Sequence, residues 1–367
     1  MNDTIAFAPR WASAPGETIV EALQRRNHTV DDLADALGVS DPIARALVTG
    51  AIELTEPFAA ALAELTGSSA DFWLRRERNY RDSLRWLSFD EYAQQVPFEK
   101  GEELGWVERA PHHWRERAQQ FVEFFEVDSI DDWRMRYGNS SALRRASGAF
   151  DTDIPAQALW LRQAEREADS INIGAWSKAG LSEAVRDARN LSRLPDPERF
   201  VPQLKKMLAD VGVALVVLPT PPRVPVSGAA RRRRDNRPLI ALSGRYLTDD
   251  HFWFTLFHEI GHVLRHELES GFVDDLEHQE EGGLESEANE FARRTLVPSG
   301  LDGLRGRRLT YKDVITFAAA AGIAPGVVVG QLQHDGIVER NQLNQAKRRY
   351  RWAGGQLVLA RNSQRGS

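Results

Sequence analysis

The chain has 367 residues, 42% of them hydrophobic and 27% charged, enough for two to four domains with packed cores at roughly 100 to 200 residues each. No apolar run approaches the about 18 residues needed to cross a bilayer, so a membrane is excluded as a partner, and the absence of cysteine rules out disulfides and thiolate metal sites, leaving His, Asp and Glu as candidate ligands. The formal charge of −6 is unevenly spread: residues 1 to 71 hold four arginines against eleven acids, and residues 340 to 367 hold seven Lys or Arg and no acid, so a polyanion would be drawn to the second stretch and repelled by the first.

The opening MNDTIAFAPRW lacks the charged-then-apolar design of a secretory signal, and the cytoplasm is the expected compartment. Five short helices are predicted next. Glu17 to Arg26 carries Ile19, Val20, Ala22 and Leu23 at helical spacing; Thr29 caps Val30 to Leu37, which Gly38 closes; Ser40 opens Asp41 to Thr49; Thr55 to Leu65 is a fourth; the fifth includes Phe72, Trp73 and Leu74. The string TVDDLADALGVS with the helix after it has a helix-turn-helix pattern, in which Ala34, Leu37, Val39 and Leu47 form the shared core. Residues 1–83, including GSSADFWLRRERNYRD, resemble the Cro/repressor-type module of HigA-type antitoxins, which implies DNA as a partner. The second helix is chemically ill suited to that role, because SDPIARALVTG offers base edges only Ser40 and Arg45, beside Asp41. DNA contact through those two residues and docking of a protein both stay open.

Residues 84–195 read as a helix-rich linker region in which Trp106, Trp114, Trp133, Trp160 and Trp176 are core anchors. A change follows at 196, where the expected catalytic core begins and runs to 300. Val211 to Leu218 and Pro238 to Ser243 read as buried strands, Pro219 to Pro225 as a proline-rich connection, and the four arginines Arg231 to Arg234 as a solvated loop between the strands or a contact for nucleic acid or an acidic peptide.

The most informative segment is HFWFTLFHEIGHVLRH, His251 to His266. Within it His258, Glu259 and His262 make H-E-x-x-H: two imidazoles one helical turn apart can grip one zinc ion, and the acid beside them can take a proton from a water that the metal acidifies. The motif lies in an apolar helix, and Gly261 allows a neighbouring element to approach closely. His251 and His266 share the face of the pair but lie too far along it to join the same ion, and read either as groups at the pocket rim or behind the ligands or as plain surface histidines. A third ligand is expected from LESEANEFARRTL, where Leu284, Ala288, Phe291, Ala292 and Thr295 form a buried stripe. Glu285 sits at the margin of that stripe and is the best ligand, Glu287 lies further round, Glu290 faces solvent, and Asn289 can orient a liganding histidine.

The run PLIALSGRYLTDDHFWFTLFHEIGHVLRH, then ESEANEFARRTLVP and FAAAAGIAPGVVVGQLQHDG, resembles the ImmA/IrrE family of metallo-endopeptidases, in particular members with an N-terminal repressor-like module. The resemblance implies a mostly helical α+β chain: a five-helix module, a helical linker, a minimal zincin-like core with a small β-sheet, and a C-terminal segment, 301–367, with helix-turn-helix-like helices and a basic tail. It implies a regulatory protease that cleaves a repressor-type transcription factor in bacterial stress or mobile-element circuits, with Zn2+ on His258, His262 and Glu285 and with Glu259 as base. Tyr311 to Gly322 and Pro325 to Leu332 fit the helix-turn-helix-like element, or a lid packed on the core, and Arg245, Tyr246 and His334 are the candidate oxyanion donors. The competing expectation is a HigA-like transcriptional regulator or antitoxin whose metallopeptidase-like domain is structural or a sensor.

Overall fold

The computed structural model of the chain describes residues 10–138, 153–222, 224–266 and 281–360. It divides into two compact units: one takes the chain through Gln95 together with Pro111–Ile130, the other Val96–Ala110 together with the chain from Asp131. The fold is mostly helical α+β, and no single helix among the described residues is long and apolar enough to cross a membrane.

The first unit begins with α1 (Pro15–Gln24), α2 (Val30–Leu37), α3 (Asp41–Val48) and α4 (Glu56–Thr66). A capping box, in which the Thr29 hydroxyl accepts from the Asp32 amide and Asp32 accepts from the Thr29 amide, starts α2 where the sequence places it. Gly38, at φ 65°, turns the chain into α3. Ile19, Leu23, Leu33, Leu47 and Trp73 share one core, with Leu37 against it. The next helix, α5 (Ala70–Ala93), runs unbroken through 83. At its end the fully buried Asp90 is held by Arg10 at 2.9 Å and Arg117 at 2.6 Å.

In the second unit come α6 (Phe98–Glu103), later α8 (Ile130–Trp133) and a π-turn at Arg134–Gly138, after α7 (Trp114–Phe125) of the first. Trp106, Trp114, Trp133 and Trp160 are buried, and Trp176 is half-buried against the larger core. Beyond α9 (Ile154–Asp169), α10 (Lys178–Leu191) and α11 (Pro197–Asp210) the chain enters a three-stranded sheet of β1 (Ala214–Val217), β2 (Gly228–Arg232) and β3 (Pro238–Leu242). The order is β1-β3-β2, with β1 parallel and β2 antiparallel to β3. Of the apolar run that the sequence suggests, Ala214–Val217 form β1 and are buried throughout, as expected of a strand covered on both faces, whereas Val211 caps the end of α11 and is half-buried.

Strand β2 corrects the reading of Arg231–Arg234 as a solvated loop. Arg231 and Arg232 are strand residues. Arg231 is 4% exposed, its guanidinium is 2.9 Å from Glu165 and it lies over the Tyr137 ring. Arg233 pairs with Asp169 at 3.1 Å. Acids on α9 thus neutralise Arg231 and Arg233, while Arg232 is half-buried and Arg234 is exposed.

The sheet supports α12 (Asp249–Arg265), which packs against α13 (Glu281–Leu296) and α15 (Pro325–His334); α14 (Tyr311–Ala321) precedes α15 at a bend of 110°. A Cβ on Gly261 would lie 3.2 Å from the Ala288 Cα, so the missing side chain lets α12 and α13 close up. Arg189 of α10 donates to the last carbonyls of two helices, Leu296 at 3.0 Å on α13 and Ala321 on α14, and so anchors α13. The segment expected to be a basic tail forms a hairpin of β4 (Tyr350–Ala353) and β5 (Gln356–Leu359) around Gly354 and Gly355, both with positive φ. Two of its cations are engaged by the protein: Lys347 meets Asp250 at 2.6 Å, and Arg348 donates to the carbonyls of Ser192, Arg193 and Leu194.

Candidate metal centre

Two acids, Asp249 and Asp250, occupy the first turn of α12 and Arg265 the last, a charge order that suits the helix dipole. The 3.6-residue repeat then sets His258 and His262 side by side, their Nε2 atoms 3.0 Å apart. From α13 Glu285 brings Oε2 to 3.3 Å from His258 Nε2 and Oε1 to 3.3 Å from His262 Nε2. These three are the residues, among those described, whose donor atoms gather closely enough to hold one metal ion. A four-coordinate ion with ligands at about 2.0 to 2.1 Å keeps neighbouring donors about 3.3 Å apart, so the donor set fits a metal.

The outward nitrogens fit as well. His258 Nδ1 lies 3.0 Å from Asn289 Oδ1, the orienting contact expected from the spacing of α13. Burial opposes charge on His258, yet the hydrogen bond with Glu285, the carboxylates of Glu259 and Glu285 and the contact with Asn289 outweigh it and raise its pKa above the usual histidine value. Burial likewise opposes charge on Glu285, and its hydrogen bonds to His258 and His262 prevail, holding it well below the ordinary carboxylate range. Protons and a metal ion therefore compete for the same cluster.

Glu259 is buried and lies against the start of β2, where a Cβ on Gly228 would come within 2.7 Å of its Oε1 and of Thr255 Cγ2. Sequence reasoning missed this contact, since nothing marks a glycine 31 positions upstream as the wall of the acid's niche. Glu287 is exposed, as expected, but its Oε2 lies 3.3 Å from His266 Nε2.

The three candidate oxyanion donors are not brought together. Arg245 donates to the Pro225 carbonyl at 2.7 Å and lies over the Tyr246 ring, which stacks on His251 with centroids 4.2 Å apart. That group borders a shallow pocket that Ser227, Thr248 and Thr255 also line. His251 precedes His258 by two helical turns, about 10 Å along the axis. His334 is nearer the ligands in contact terms: its ring is 6.4 Å from that of Phe254, which is 6.3 Å from that of His258, and its Nε2 is 3.3 Å from Arg293. In the first unit Ser40 and Arg45 are both exposed, with Arg45 3.6 Å from Asp31.

No curated protein and no solved structure matches the chain. The stretch that carries β1 to β3, both histidines, Glu259 and Glu285 does have a counterpart: residues 215–328 match the peptidase family described as the IrrE N-terminal-like domain.

Proposed function

We propose that this protein is a zinc-dependent endopeptidase that controls gene expression by cleaving a repressor-type transcription factor in the cytoplasm. The observation that carries the reading is the meeting of His258 Nε2, His262 Nε2 and the Glu285 carboxylate within 3.0 to 3.3 Å, with the Glu259 acid on the same helix. His258, His262 and Glu285 would hold the ion, and a set of two imidazoles and one carboxylate suits zinc, a borderline cation that takes nitrogen and oxygen ligands in this combination. When bound, zinc supplies Lewis acidity, polarising a peptide carbonyl and acidifying water.

The chain's own groups do the rest. Glu259 accepts the proton of the attacking water on its carboxylate and returns it to the departing amine. Its burial against Gly228 limits the water that can reach it and fixes its direction. Asn289 keeps the His258 ring proton on Nδ1 and so leaves Nε2 free to bind. Of the candidate oxyanion donors His334 is the preferred one, because it shares Phe254 as a neighbour with His258.

The test is incubation of the zinc-loaded protein with a repressor encoded beside its gene. The wild type converts the repressor to two fragments; Glu259→Gln keeps zinc and fold but slows cleavage by at least about 100-fold, the usual contribution of a general base. A variant that still cuts at the wild-type rate overturns the role of Glu259. The second reading, a DNA-binding regulator, is favoured by the α2–Gly38–α3 pair. Promoter retardation that persists in Glu259→Gln, without cleavage of any repressor by the wild type, would select it.

A further inference from the structure

Each liganding histidine has a ring nitrogen to spare, and the two are satisfied differently. His258 Nδ1 faces an amide oxygen, on Asn289. His262 Nδ1 faces another ring nitrogen, Nδ1 of His266, at 3.0 Å, and His266 Nε2 faces Glu287 Oε2 at 3.3 Å. The chemistry of the three groups sets the direction of this chain. A carboxylate only accepts, so His266 carries its proton on Nε2. A neutral His266 then offers Nδ1 as an acceptor, which puts the His262 proton on Nδ1 and leaves His262 Nε2 bare, toward His258 Nε2 and Glu285. The His266 side chain is 6% exposed, so water is a poor substitute for it, whereas Glu287 is 58% exposed.

We infer that His266 is a positioning residue for the metal centre: its Nδ1 accepts the Nδ1 proton of His262, and Glu287, by accepting from Nε2, holds His266 in the tautomer that can do so. This rests on the reading of His258, His262 and Glu285 as the ligands. It gives the outer flank of α13 a purpose that its exposure hides, since Glu285 reaches the ion and Glu287, two residues on, braces the histidine next to it.

The experiment measures Zn2+ affinity of the full-length protein by competition with a chromophoric chelator, alongside the melting temperature of the metal-free form. His266→Phe keeps an aromatic ring in place but accepts no hydrogen bond, and His266→Gln can present an oxygen to the same proton. The expected result is a loss of affinity of about 10- to 100-fold for His266→Phe, the usual cost of removing an outer partner. His266→Gln recovers most of it, Glu287→Ala shows a smaller loss, and Glu290→Gln, on the same helix and paired with Arg294, shows none. Should His266→Phe fail to fold, His266→Ala replaces it with the same expected loss. Wild-type affinity in the apolar variant, or equal losses for the apolar variant and His266→Gln, overturns the inference. His258→Ala separates the two levels: unchanged affinity there overturns the ligand assignment itself, whereas loss there with none at 266 overturns the bracing role alone.

Discussion

A methyl group at position 228 would meet the acid of the H-E-x-x-H motif first, 2.7 Å from Glu259 Oε1 and equally close to Thr255 Cγ2. Gly228→Ala must therefore turn that carboxylate aside or shift the strand. Because misplacement of a reacting group by about 1 Å can cost on the order of 100-fold in rate, the variant is expected to lose turnover on that scale while binding zinc normally; steady-state kinetics beside metal analysis checks it, and an unchanged kcat would show that the niche tolerates a side chain. The His258–His262 pair was legible because its geometry is local: positions four apart on a helix share a face whatever the rest of the chain does. Glu285 and Asn289 followed from the apolar stripe of a second helix. Gly228 and the Glu287–His266 contact were not, since each depends on where a distant element lands. The arginine run was misread in part for the same reason: Arg231 and Arg233 look solvated until the acids of α9, more than sixty residues earlier, are seen to face them.

At the level of the helix, α12 is secured at its first turn by a pair of buried acids. Asp249 Oδ1 accepts from the amides of Asp250 and Arg348, both at 3.0 Å, and Asp250 is paired with Lys347. Burial, with the neighbouring Asp250 charge, pushes Asp249 up to about 7 against the attraction of Arg348, while His251, Lys347 and Thr248 overcome burial and hold Asp250 well below the carboxylate range. An acid whose pKa rises on folding binds its proton more tightly in the native state, so from about pH 4 to about 7 its contribution to stability falls as pH rises. Asp250 has the opposite sign and acts below that window. Asp249→Asn, which keeps the accepting oxygen, is expected to flatten the slope by up to about 1.4 kcal/mol per pH unit. Urea denaturation of the metal-free wild type and variant across that range measures it, and parallel curves would refute it. The strands β1 and β3, the capping of α2 and the apolar face of α12 were readable from pattern; β2 was obscured by Arg231 and Arg232, and the strands of the C-terminal hairpin, four residues each, are too short to give a period-two signal.

On the scale of the molecule, the acidic and basic ends that the composition contrasts are different in kind. The acids of α2 and α3, Asp31, Asp32, Asp35 and Asp41, are exposed, whereas Lys347 and Arg348 are bound into the unit that holds the candidate metal centre. Deleting the chain from Asn344 should destabilise that unit by at least the roughly 3 to 5 kcal/mol that follows when a buried acid such as Asp250 loses its cation, and should loosen zinc as α12 loses its fastening; calorimetry and metal titration of the truncated chain check both, and unaltered values would place the fastening elsewhere. The partition into two units, and the interruption of the first by residues 96–110, could not be foreseen, because a sequence pattern marks helices but not which of them pack together. The bond from Arg348 to Asp249 spans 99 residues. During synthesis His258, His262 and Glu285 thus leave the ribosome before Lys347 and Arg348, so a nascent copy translated as far as α13 carries the three side chains of the candidate site while the first turn of α12 is still unfastened.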